Sequence, residues 1–226
     1  MCVMCGFVGY LTIDKSSARN GEVANLPEKL KKEALKTIEQ RGPDAEGEWQ
    51  DQNIWFGHRR LSIVDTGARG NQPMQRGAHI IVFNGMIYNF REIREILVQK
   101  GYRFETDTDT EVIIAGWAEW NEALLSRLQG MFSFAIWNQS DKSLFLVRDR
   151  LGKKPLFYTR WGGDIAFGSR FDALEALTET ASLGDDALSW LLTLKYIPEP
   201  YSASDYIQKV PAGHLIKIHS AGQEIR

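Results

Sequence analysis

The run over residues 4–12, Met-Cys-Gly-Phe-Val-Gly-Tyr-Leu-Thr, constrains this chain more than any other stretch: it is apolar, is broken by Gly6 and Gly9, and stands almost at residue 1. A short apolar run of this kind reads as a buried strand, which tucks the start of the sequence into a core. Glycines inside a strand mark places where something approaches the backbone closely. Both cysteines, Cys2 and Cys5, lie here. Nothing remains elsewhere for either to staple, so a disulfide framework is excluded. Cys-Val-Met-Cys has the spacing of half a zinc site. The four histidines, His58, His79, His214 and His219, show no metal spacing among themselves, and no metal is expected.

Beyond this run, Leu30, Ala34, Leu35 and Ile38 recur at helical spacing over residues 27–40, with Pro27 suited to a first turn and Gly42 to a stop. Strands are predicted over 53–57, 61–64 and 79–83, the last running into Asn84-Gly85, a strong turn pair. Asn89 is suited to cap a helix over 90–100 that stops at Gly101, and Thr108 with Glu111 forms a capping box for the next helix. Two antiparallel hairpins follow, 131–137 with 143–147 and 156–158 with 165–168. Helical runs at 171–177 and 187–194, a Pro-containing loop at 196–201 and a last strand at 214–218 complete the pattern. Strands, then helices, then hairpins predict an α+β layered domain with mostly antiparallel sheets. Neither a GxGxxG nor a Walker A run is present, so nucleotide binding has no local support.

Composition narrows the function classes. The 226 residues hold 27 Lys plus Arg against 29 Asp plus Glu, and neither sign gathers into a tail. Nucleic acid and membrane surfaces are therefore not the expected partners. No apolar stretch approaches the roughly 20 residues of a spanning helix, and signal-peptide order is absent from the first residues. The expected location is the cytoplasm.

The residue with chemistry to offer is Cys5. Were it the first residue, its own α-amine, with a pKa of about 7.7 to 8.0, could take the proton of a thiol of about 8.5 and later return it to a leaving group. The motifs Cys5-Gly6-Phe7-Val8-Gly9, Arg41-Gly42-Pro43-Asp44, Arg60-Leu61-Ser62-Ile63-Val64-Asp65, Asn84-Gly85-Met86-Ile87-Tyr88-Asn89 and Asp109-Thr110-Glu111-Val112-Ile113 occur in that order. Together they resemble the class II glutamine amidotransferases, and within them the glutaminase half of glutamine-hydrolysing asparagine synthetases. The resemblance continues through Arg148-Asp149-Arg150-Leu151-Gly152 and Val210-Pro211-Ala212-Gly213-His214.

It implies the N-terminal nucleophile hydrolase fold, a four-layer αββα sandwich of two mostly antiparallel sheets. It further implies Cys5 as the nucleophile that forms a γ-glutamyl thioester from L-glutamine, with Asn84 and Gly85 as the oxyanion hole. Arg60 would hold the substrate α-carboxylate and Asp109 its α-ammonium. Arg41 and Gly42 would support the site, while Arg148, Asp149 and Gly152 read as architecture.

Three departures from the family pattern bear on the reading. Residues 1–4 precede the match, so they are expected to be a leader absent from the active form; Cys2 is the alternative nucleophile. Met86 stands where these synthetases carry Glu, which leaves Asp109 as the only carboxylate for the substrate ammonium. No pyrophosphate loop is present, so ATP and Mg are expected only in a synthetase domain or partner outside this chain. The glutaminase domain itself, residues 5–218, is expected to need no cofactor. Residues 186–218 resemble the segment leading to a synthetase domain, and 219–226 read as a C-terminal tail. Aspartate is the expected ammonia acceptor. A catalytically silent regulatory or interaction domain and an amidotransferase with another acceptor are the alternatives, and self-association as a homo-oligomer is left open.

Overall fold

The computed structural model describes residues 4–13, 26–62, 65, 67–180, 183–219 and 222–225. Twelve strands are found among them: β1 (Gly6–Leu11), β2 (Ala45–Gln50), β3 (Ile54–Arg60), β4 (Met74–Arg76), β5 (His79–Ile87), β6 (Gly130–Asn138), β7 (Ser143–Arg148), β8 (Phe157–Trp161), β9 (Asp164–Gly168), β10 (Ile207–Lys209), β11 (Leu215–His219) and β12 (Gly222–Ile225). The α-helices are α1 (Glu28–Thr37), α2 (Phe90–Gln99), α3 (Asp109–Trp120), α4 (Phe171–Thr178) and α5 (Asp185–Leu194). The strands form two sheets, ordered β10-β8-β9-β1-β3-β2 and β12-β11-β7-β6-β5-β4. Every pairing in both is antiparallel.

Successive side chains of a strand point to opposite faces, and on β5 the two faces serve different layers. Ile80 and Val82 pack against Phe7, Leu11, Ile54 and Phe56 of the other sheet. Ile81 and Phe83 face α2 and α3, packing with Ile93, Leu97, Ile113 and Trp117. Val8, Trp55 and Ala166, on the far face of the first sheet, meet Leu30, Leu35, Leu174 and Leu177 of α1 and α4. Three apolar interfaces thus separate four layers, helices, sheet, sheet and helices, as the family resemblance implies. A strand covered on both sides has no solvent-facing side, which is why Ile80-Ile81-Val82-Phe83 and Phe134-Ala135-Ile136-Trp137 read as continuous apolar runs.

Several boundaries depart from the sequence reading. Asn84 and Gly85 do not turn: they lie within β5, opposite Ser133 and Phe132, and the turn comes at Tyr88 and Asn89. Gly85 is small because β6 is close; a Cβ there would lie 2.3 Å from the Met131 carbonyl oxygen. The strand expected over 61–64 is not formed at Leu61 and Ser62, and residues 63 and 64 lie outside the described residues. Leu61 instead gives its backbone to Cys5. Asn89 occupies the N-cap of α2, but its side chain bridges the Arg127 carbonyl and the Gln129 N–H. Half of the capping box forms on α3, where Thr108 Oγ1 accepts from Glu111 N, while the Glu111 carboxylate turns to Glu105 and Thr106. The segment read as a tail contains β12, paired with β11. Among the described residues no helix is long and apolar enough to cross a membrane.

Candidate active site

The inward faces of three strands change character at the same end of the sandwich. On β3 the alternation runs Ile54, Phe56, His58, Arg60, and on β5 it runs Ile80, Val82, Asn84. On β1 it runs Leu11, then Gly9 and Phe7, and reaches Cys5 just before the strand. The period of two that builds the apolar middle layer therefore carries a thiol, an imidazole, a guanidinium and a carboxamide to one edge of it. The antiparallel register of Gly6 opposite Arg59 sets Cys5 beside the end of β3.

Cys5 is partly buried, and its Sγ meets both backbone groups of Leu61, donating to the carbonyl at 3.6 Å and accepting from the N–H at 3.3 Å. Burial raises the thiol pKa above its ordinary value, and Asp109 adds to the rise, against the lowering by the Leu61 backbone and Arg60. A thiol in this setting needs a base to become a nucleophile. Arg41 Nε donates to the Cys5 carbonyl at 3.1 Å, and Gly42 lets that loop lie against β3, since a Cβ there would stand 2.3 Å from Arg59 backbone. Cys2 lies outside the described residues.

A cleft opens at Cys5 and is lined also by Arg60, Gly85, Met86 and Asp109. The fully buried Asn84 side chain leaves both its Nδ2 and Oδ1 without a hydrogen-bond partner among the described residues. Leaving buried polar atoms unpaired typically costs about 1–3 kcal/mol, so this carboxamide is a cost to the fold unless something in the cleft pairs with it. Beside it, the Ile87 N–H leaves the sheet to reach Asp109 Oδ2 at 3.0 Å. Residues two apart on a strand share an edge, so the Gly85 N–H faces the same side, into the cleft.

Asp109 opens α3 and is buried, which pushes its pKa up to about 6 in spite of the N–H groups of Ile87 and the helix start. Arg60 is buried, and the loop that follows β3 wraps its guanidinium: Nη1 donates to Gly67 O at 2.7 Å and Asn71 Oδ1 at 2.9 Å, and Nη2 donates to Asp65 O. Gly70 closes over it, where a Cβ would meet Nη2 at 2.4 Å. A cation and a carboxylate thus stand in one cleft with a thiol and a backbone N–H. The cleft also borders Met4, itself buried and contacted at its thioether by Lys154 Nζ.

Residues 4–226 match the family described as "Glutamine amidotransferase domain". The chain belongs to that family. Over 221 residues the amidotransferase domain is 37% identical to "Asparagine synthetase [glutamine-hydrolyzing] 1" of Bacillus subtilis, an alignment covering 97% of this chain and 34% of that protein. It is 32% identical over 246 residues to "Putative asparagine synthetase [glutamine-hydrolyzing] 2" of Methanocaldococcus jannaschii, covering 99% and 45%. The chain spans less than half the length of these curated relatives. The solved glutamine phosphoribosylpyrophosphate amidotransferase of B. subtilis superposes with a TM-score of 0.69 over 98% of this chain and 49% of that one, at 17% identity, a likeness of fold.

Arg60, Gly85, Met86, Asp109 and Cys5 meet in the cleft, and Arg41 and Gly42 brace it from the neighbouring loop. Arg148 and Asp149 are architectural. Arg148 bonds the Lys154, Gly152 and Val210 carbonyls and Glu199, and the Asp149 carboxylate accepts from the N–H groups of Phe132, Leu151, Lys153 and Lys154. Sequence reasoning passed over Leu61, Gln72 and His58. Leu61 acts through its backbone, which no side-chain pattern reveals. The other two are isolated polar residues, and only the inward parity of β3 singles out His58.

Proposed function

We propose that this domain hydrolyses L-glutamine to glutamate and ammonia through a thioester on Cys5. The Cys5 thiol attacks the substrate side-chain carboxamide while an α-amine on the same residue takes the thiol proton. The developing oxyanion is held by the Asn84 side-chain N–H and the Gly85 backbone N–H, donors each worth about 100-fold to 1,000-fold in rate in comparable sites. The amine then returns the proton to departing ammonia, and water cleaves the thioester to glutamate. Arg60 takes the substrate α-carboxylate, a task suited to a planar guanidinium, and Asp109 takes the α-ammonium. Met86 lines the same cleft as an apolar wall.

One observation carries this reading: a buried, unpartnered carboxamide at Asn84 stands on the strand whose next residue enters a cleft shared by a thiol, a guanidinium and a carboxylate. The raised thiol pKa supports the need for a base. The amine supplies that base only if residues 1–4 are removed, because a Cys5 nitrogen in a peptide bond is not basic. Cleavage ahead of Cys5 therefore belongs to the proposal.

The names of the relatives support the next step, in which an ATP-dependent synthetase domain or subunit uses the ammonia to amidate aspartate. ATP and Mg would act in that partner, and the glutaminase step would need no cofactor. Incubating the domain that begins at Cys5 with glutamine should release glutamate and ammonia in equal amounts, and Cys5→Ala should release neither. Full glutamate production by the Cys5→Ala protein would remove the basis of the reading.

A further inference from the structure

Strand β5 carries the proposed oxyanion donors but lacks a neighbour where it does so. Its partner β4 ends early, pairing only with His79, Ile80 and Ile81, so beyond Ile81 that edge of β5 is open. The N–H and C=O of Phe83, Gly85 and Ile87 point to this edge, because alternate residues of an antiparallel strand share one side. Side chains replace the missing strand. Gln72 Oε1 accepts from Phe83 N–H at 2.6 Å, and His58 Nε2 meets the Phe83 carbonyl at 3.2 Å. Ile87 N–H goes to Asp109, as described above, and Gly85 between them is left to the cleft.

We propose that Gln72 and His58 are positioning residues that clamp Phe83 and thereby fix the angle at which Asn84 and Gly85 present their donors to the substrate. The inference rests on the glutaminase reading. Both side chains are buried, Gln72 nearly and His58 fully, so neither bond is exchanged for one to water. A carbonyl only accepts, so His58 Nε2 carries a proton; burial lowers the His58 pKa to about 4, which keeps the ring neutral at neutral pH. Gln72 also reaches the other arm of the cleft: its Nε2 donates to Thr110 Oγ1 at 3.2 Å, next to Asp109 at the start of α3. One amide therefore ties the oxyanion strand to the helix that carries the ammonium clamp. Small displacements of oriented groups suffice to lower turnover strongly.

The test compares two reactions of Cys5. Glutamine hydrolysis builds an oxyanion, whereas alkylation by iodoacetamide displaces iodide at a tetrahedral carbon and builds none. In Gln72→Met and His58→Leu, kcat on glutamine is expected to fall by about 10-fold to 100-fold, part of the worth of a full oxyanion donor. Iodoacetamide should still react within about twofold of the wild-type rate, since thiol access and basicity are retained. His58→Gln, which keeps a donor near the Nε2 position, is expected to recover most of the rate lost in His58→Leu. Retention of wild-type kcat in both apolar variants overturns the clamp, as does a parallel fall of both reactions with the melting temperature. A wild-type protein that begins at Cys5 and is alkylated there yet leaves glutamine intact overturns the glutaminase reading itself, and the clamp with it.

Discussion

Glutamine affinity should depend on pH through Asp109, and the size of the effect follows from its burial. Desolvation holds this carboxyl at about 6, so it is half neutral at pH 6 in the free protein. A neutral carboxyl cannot pair with the substrate ammonium, and the amino acid's own groups keep their charges between pH 5 and 7. The apparent Kd should therefore grow by a factor of one plus ten to the power of pKa minus pH, about twofold at pH 6 and about 10-fold at pH 5. Calorimetry on Cys5→Ala, which binds without turnover, measures this directly. Near pH 6 binding should also release roughly half a proton per glutamine, visible as a dependence of the heat on buffer ionisation. Asp109→Asn should bind weakly and with no pH dependence in this window. An affinity for glutamine equal at pH 5 and pH 7, or tighter at pH 5, would refute the placement of the ammonium on Asp109.

Other perturbations separate binding from chemistry. Asn84→Ala should lower kcat by about 100-fold to 1,000-fold with little change in KM. Its melting temperature should not fall, because the substitution removes two unpaired buried atoms; marked destabilisation would mean that the carboxamide is structural. Met86→Glu should lower the glutamine KM by adding a second carboxylate, and an unchanged or raised KM counts against an ammonium near this position. His58, depressed to about 4 by burial, contributes stability that is present above its unfolded value near 6.5 and lost as pH falls through 4. His58→Gln should therefore lose up to about 3 kcal/mol less than wild type between pH 7 and pH 4, read by urea unfolding. Asp109 has the opposite slope over part of this range and is common to both proteins.

The fold was legible wherever burial on both faces made strands largely apolar, as in 79–83 and 131–137, and wherever helical spacing repeated, as over 27–40. It was illegible where strands sit at edges. Ala45–Gln50 reads Ala-Glu-Gly-Glu-Trp-Gln and alternates half-buried with exposed side chains, so its polarity hides a strand. Ile207–Lys209 is too short to leave a period.

The site followed a different logic. Cys5, Arg60 and Asp109 were read by resemblance, and the structure places all three on one cleft. Asn84-Gly85 has the composition of a turn, yet tertiary pairing with β6 overrides the local preference and keeps both residues in the strand. Gln72 and His58 have no local signal because their partner is a backbone edge, which exists only once β4 stops short of Phe83.

The most direct test of the N-terminal cysteine mechanism is the intact mass and peptide map of the active protein after reaction with a glutamine analogue bearing an electrophile at the γ position. Residues 1–4 are expected to be absent and a single adduct to lie on Cys5, with glutaminase activity lost in step with labelling. An active protein that retains residues 1–4, or that carries its adduct on Cys2, would contradict the assignment of base and nucleophile to Cys5.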